Sequence, residues 1–105
     1  MDTTVLDDPA ADRFELRVDG ELTGFVAYRA DEQVHVFTHT EIDPAYEGRG
    51  LGSVLIRGVL DEMRSRGRAV LPVCPFVRSF VERHPDYLDL VPPAERDRFG
   101  LPAAS

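Results

Sequence analysis

The chain has 105 residues, 43% of them hydrophobic and 30% charged, which bounds it to one domain with a single core. A formal charge of −7, from 19 acidic and 12 basic residues, argues against a nucleic-acid partner and weakly favours a cationic substrate such as an amine. No apolar run approaches the ~20 residues needed to cross a bilayer. The acidic start Met1–Asp8 lacks the order of a signal peptide, and one cysteine builds no intrachain disulfide, so the expected compartment is the cytoplasm.

Residues 1–12 show no periodicity and are read as a flexible lead-in. Phe14, Leu16 and Val18 alternate with Glu15 and Arg17, as in a half-buried strand, and Asp19-Gly20 supplies a type I′ turn into a second strand, Leu22 to Arg29. Gly24 marks a bulge or a close contact within it. Val34 to Ile42 is the third strand, with Val34, Val36, Thr38, Thr40 and Ile42 expected on one face and His35, Phe37, His39 and Glu41 on the other. A helix follows from about Gly50 to Arg66, burying Leu51, Val54, Leu55, Gly58, Val59 and Met63, with Gly67 as its left-handed cap. Ala69 to Cys74 reads as a buried parallel strand after a crossover. Pro75 opens a second helix reaching about Arg83, and His84-Pro85-Asp86 stops it. Tyr87–Val91 leaves room for a last extended piece, and a helical turn near Ala94–Phe99 precedes a soft tail. The expected fold is α/β (α+β) with a mixed sheet, in the order βββαβα.

The most informative stretch is Tyr46-Glu47-Gly48-Arg49-Gly50-Leu51-Gly52. Glycine is costly in a helix, so three at a helix start point to a tight curl that lets a ligand approach the backbone. The N–H groups there are unpaired and sit at the positive end of the dipole, which suits a phosphate. The alternative is a tight strand-to-helix turn and nothing more. A Walker A loop is excluded because the chain has no lysine, and Ser53 stands where a dinucleotide fingerprint needs a third small glycine-like residue.

Strand, glycine loop and helix in this order resemble the acyl-CoA pyrophosphate loop of the GCN5-related N-acetyltransferases, whose pattern is Gln or Arg, two residues, Gly, one residue, Gly or Ala. Glu47, Gly50 and Gly52 occupy those positions, and Glu47 departs from the pattern. With His39-Thr40-Glu41-Ile42 and Val73-Cys74-Pro75-Phe76-Val77 through His84-Pro85, the chain is similar to the small single-domain branch of that superfamily over roughly residues 14–90. The resemblance implies a minimal acyl-CoA N-acyltransferase domain over residues 13–92, followed by a C-terminal extension, 93–105. It lacks the helices that full-length members carry between their first two strands and that wall the acceptor pocket.

The resemblance further implies acetyl-CoA as co-substrate, an amine acceptor that is either a small molecule or a protein, and a monomer or homodimer. Gly48, Arg49, Gly50, Leu51, Gly52 and Ser53 would hold the pyrophosphate, with Arg57 as a second arginine. Val73 would lie by the pantetheine arm, and the strand Ala69–Cys74 would donate to the thioester oxygen. Cys74, at a helix N-terminus that favours a thiolate, is a nucleophile, an acid for the leaving thiolate, or a core residue. His39 and Glu41, two residues apart on one face, are the leading bases or else a polar outer face; His84 and Tyr87 are weaker candidates. His35 and His39 stand ~13 Å apart along a strand, too far to share a metal, and none is expected. A non-catalytic acyl-CoA-binding module and a Cys74-dependent acyl carrier or thioesterase are the competing functions.

Overall fold

The computed structural model describes residues 1–102. Five strands form one mixed sheet in chain order: β1 (Thr3–Asp8), β2 (Arg13–Val18), β3 (Glu21–Ala30), β4 (Val34–Ile42) and β5 (Ala69–Pro72). The first three pairings are antiparallel, and β5 runs parallel to β4 after the crossover helix α1 (Leu51–Arg66). α2 (Pro75–Arg83), a 3-10 segment (Pro85–Leu90) and the short α3 (Pro93–Arg96) complete it. The core joins Phe14, Leu16, Val26 and Phe37 of the sheet to Leu55, Ile56, Val59 and Leu60 of α1 and Val77, Phe80 and Val81 of α2.

The lead-in expected over residues 1–12 is instead an edge strand. β1 pairs with β2 from Thr3↔Val18 to Asp8↔Arg13 and packs Val5 against Gly58, where a Cβ would come within 2.8 Å of the valine. Asp7 accepts a hydrogen bond from the Tyr28 hydroxyl at 2.6 Å and pairs with Arg66 at 3.1 Å. Such a strand needs little apolar alternation, because the ladder and one side chain hold it; its acids and Pro9 protect the edge. β1 and β2 are joined by one 3-10 turn, Pro9–Ala11, so no helices stand between the first two strands.

The Asp19-Gly20 turn has positive φ at both residues, as a type I′ hairpin requires. The C-terminus of α1 is a Schellman cap, Gly67 N–H donating to Arg64 O and Arg68 N–H to Met63 O. Along α1, Val54 is 39% exposed rather than buried, and Ile56 and Leu60 take the inward places. The extended piece suggested at 87–91 is 3-10 helix through Leu90. Its two buried residues, Tyr87 and Leu90, stand three apart, the period of that helix and not of a strand.

The departure that matters most lies in β4. Ala27 pairs with His39 but Tyr28 pairs with Phe37, so Thr38 is an extra residue, a β-bulge. Side-chain alternation reverses across it. His35 and Phe37 face the core, and so does Thr40, opposite buried Val26; His39 and Glu41 face the other way. The four residues expected to share one face are therefore split between two.

Candidate functional site

β4 and β5 hold together from Val34↔Ala69 to Phe37↔Pro72 and then part. The last link is Cys74 N–H donating to Phe37 O at 2.8 Å. Beyond it, Asp43 N–H turns toward β3, donating to Thr23 O, so by alternation the backbone groups of Thr40 and Ile42 face the gap. On the β5 side Pro72 has no N–H, and Val73 N–H donates to Leu71 O. The backbone donors expected where the strands part, Val73 and Cys74, are thus already engaged, and β4 supplies the open edge.

The glycine loop stands at the end of this gap. Asp43 caps the turn Pro44–Tyr46 through Ala45 N–H at 2.9 Å, and Glu47 N–H donates to Pro44 O. From Gly48 to Ser53 no amide has a hydrogen-bond partner among the described residues, and the first bond beyond runs from Val54 N–H to Gly50 O. Gly48 and Gly50 have φ of +80° and +72° with open space where a Cβ would sit, so their requirement is conformational. Gly52 differs: a Cβ there would lie 2.6 Å from Phe76 Cζ, so its requirement is the close approach of that ring.

These residues enclose a cavity of about 420 Å³. Its walls are Thr40 and Ile42, Tyr46 to Gly48, Gly50 to Ser53, and Phe76 and Arg83 of α2. Thr40, Tyr46, Phe76 and Arg83 were not foreseen, since only the fold brings α2 against the loop. Two expected arginines are turned away. The Arg49 guanidinium lies 5.4 Å over the Tyr46 ring, in a separate hollow beside Asp19 and Glu21. Arg57 lies over Phe80 and Tyr87 and donates to the Tyr87 hydroxyl at 3.2 Å.

Cys74 is 3% exposed and does not line the cavity; its Sγ lies 3.2 Å from Thr40 Oγ1, which stands between it and the cavity. Although it is the N-cap residue of α2, its side chain makes no cap bond. His39 and Glu41 are both 61% exposed in their side chains, with His39 Nε2 3.4 Å from Glu41 Oε2, a direct contact closer than their strand spacing implied. The His39 ring meets Phe25 edge-on at 6.2 Å, and Arg13 covers that phenylalanine from 4.8 Å.

The His84 ring packs tilted against Phe80, with centroids 4.2 Å apart, and approaches Arg57 at 3.4 Å. Burial and the Asp61 carboxylate, 2.6 Å from its oxygen, raise the Tyr87 phenol above its ordinary range. Both belong to a cluster around Arg57. His35 lies at the far end of β4, where burial and the Arg68 guanidinium lower its pKa.

The model of the GCN5-related N-acetyl-transferases matches residues 13–90. The chain belongs to that family. A solved ribosomal-protein-alanine N-acetyltransferase from Brucella melitensis biovar Abortus 2308 superposes with a TM-score of 0.55 at 21% identity, covering 89% of this chain. It speaks for the fold alone, and the chain spans 62% of its length. No curated protein matches. No described helix is long and apolar enough to cross a membrane, and the described residues contain no group of three His, Cys, Asp or Glu side chains able to hold a metal.

Proposed function

We propose that this protein transfers an acetyl group from acetyl-CoA to an amine. The observation that carries the reading is the run of unpartnered amides from Gly48 to Ser53 at the head of α1, bordering a cavity that continues along the open edge of β4. The donor set fits the co-substrate: two glycines with positive φ present N–H groups at a helix dipole, which suits a diphosphate. The gap beyond Phe37 suits an extended pantetheine arm, with Thr40 and Ile42 offering backbone groups to it. Acetyl-CoA supplies an activated thioester when bound.

His39 and Glu41 act on the amine. They stand on the sheet face away from the helices, and their mutual contact lets the carboxylate orient the imidazole. The acceptor arrives from that face, which the missing helices leave accessible, and the chain's charge of −7 favours a cationic amine. Cys74 serves as packing beside the gap, since its thiol is buried behind Thr40; direct attack by the amine is the simpler course.

Thermal-shift measurements with CoA, acetyl-CoA, NAD and ATP test the co-substrate. Stabilisation of several degrees by CoA and its thioester alone supports the reading, and a shift with ATP but none with CoA overturns it. Turnover of acetyl-CoA against a panel of amines then separates an enzyme from a module that only binds acyl-CoA.

A further inference from the structure

Among the arginines, Arg83 alone lines the cavity. It stands seven residues after Phe76, so the two lie on one side of α2, and a helical side chain leans back toward the N-terminus and the loop. Its side chain is exposed and has no ion pair or hydrogen bond with a described residue, whereas Arg78 on the same helix pairs with Glu82 at 3.6 Å. Glu47 also lines the cavity, where the family pattern places Gln or Arg. A carboxylate there removes a favourable partner for a phosphate and adds like-charge repulsion.

We infer that Arg83 is the phosphate-binding cation of the coenzyme site, supplying from α2 the charge that the loop lacks at Glu47. The inference rests on the CoA reading above and adds a residue outside the loop to it. A guanidinium presents a fork of donors that matches two phosphate oxygens at once. Coenzyme A offers that chemistry in its diphosphate and in its ribose 3′-phosphate.

Calorimetric titration of CoA and 3′-dephospho-CoA into wild type, Arg83→Gln, Arg78→Gln and Glu47→Gln tests it. Arg83→Gln is expected to weaken CoA binding by about tenfold or more, with a flatter dependence on salt. Arg78→Gln, which removes the same charge from the same helix, is expected to change it by less than about twofold, while Glu47→Gln tightens it. Weakening with both ligands assigns Arg83 to the diphosphate, and weakening confined to CoA assigns it to the 3′-phosphate. Wild-type affinity in Arg83→Gln overturns the inference and leaves the CoA reading standing. A wild type that binds neither ligand overturns both.

Discussion

Alanine at position 52 separates what the coenzyme requires of the loop from what this chain requires. The family pattern admits Ala there, so a methyl group is compatible with phosphate binding in general. In this fold the new Cβ would lie 2.6 Å from Phe76 Cζ and 3.3 Å from both Cε atoms, and carbon contacts settle near ~3.5–4 Å. The ring must therefore retreat by roughly 1 Å. It is 38% exposed and free to swing, so the loss is a fraction of the ~1.5–3 kcal/mol that a fully buried phenylalanine contributes. Against that, Ala gains up to about 1 kcal/mol over Gly in a helix, less in a first turn. The two effects nearly cancel, so Gly52→Ala is expected to shift stability by under about 1 kcal/mol, or less than ~8 °C in Tm. The displaced ring has the cavity beside it, and CoA affinity falls by about tenfold as its space is taken. Thermal melts and calorimetric titration measure the two quantities separately, and Phe76→Leu in the same chain is expected to restore binding. A Gly52→Ala protein that binds CoA as well as wild type would refute the view that this glycine keeps Phe76 out of the coenzyme's space.

Four other expectations can be checked. His39→Gln lowers turnover by about a hundredfold while CoA binding in titration stays unchanged; full activity in both His39→Gln and Glu41→Gln places the base elsewhere. Cys74→Ala keeps kcat within about threefold and costs about 1 kcal/mol in melts, whereas an acetyl adduct in the intact mass of wild type, absent from the variant, refutes direct transfer. Deleting residues 2–8 unpairs β1 and leaves the buried Tyr28 hydroxyl without Asp7, a penalty of about 1–3 kcal/mol before the ladder is counted. A fall in Tm of at least ~8 °C is expected, and an unchanged melt refutes a structural role for β1. His35 is held below its ordinary 6.5 by burial, then by Arg68 and Arg66, so the unfolded chain takes up the proton first as pH falls. Its contribution is complete above about 6.5 and is lost as pH drops through the folded value, so His35→Phe should flatten the decline of Tm between about pH 7 and 5. An equal slope in both proteins would place that pH dependence elsewhere.

How far the chain could be read in advance depended on whether a signal was local. Asp19-Gly20, Pro75 and Gly67 impose backbone geometry by their own stereochemistry, and each stands where that chemistry places it. The free amides of residues 48–53 follow in the same way from glycine at a helix start. β1 carries no comparable mark, because an edge strand with one inward valine has no hydrophobic period to detect. The cavity's far wall was also out of reach, since Phe76 and Arg83 acquire meaning only when α2 folds back against the loop. Arg49 and Arg57 were near in sequence, yet aromatic rings hold their guanidiniums.

The bulge at Thr38 shows why a strict two-residue period misleads at a site. Without it, His39 would share the core face of His35 and Phe37, a poor place for a base that must reach an incoming amine. One extra residue leaves Phe37 and Thr40 facing the helices and turns His39 and Glu41 to the opposite side. The same bend comes where β5 stops pairing, so the candidate bases and the Thr40–Cys74 contact lie on opposite faces beside one gap. On the function proposed above, coenzyme and amine then need not compete for a single entrance, the first entering along the glycine loop and the second across the bare face of the sheet. Deleting Thr38 should remove the bulge and join Phe37 directly to His39, so that regular alternation keeps His39 and Glu41 on the outer face and Thr40 on the inner one. Such a variant is expected to keep His39 exposed to chemical modification, and a His39 protected from it would refute this reading of the bulge.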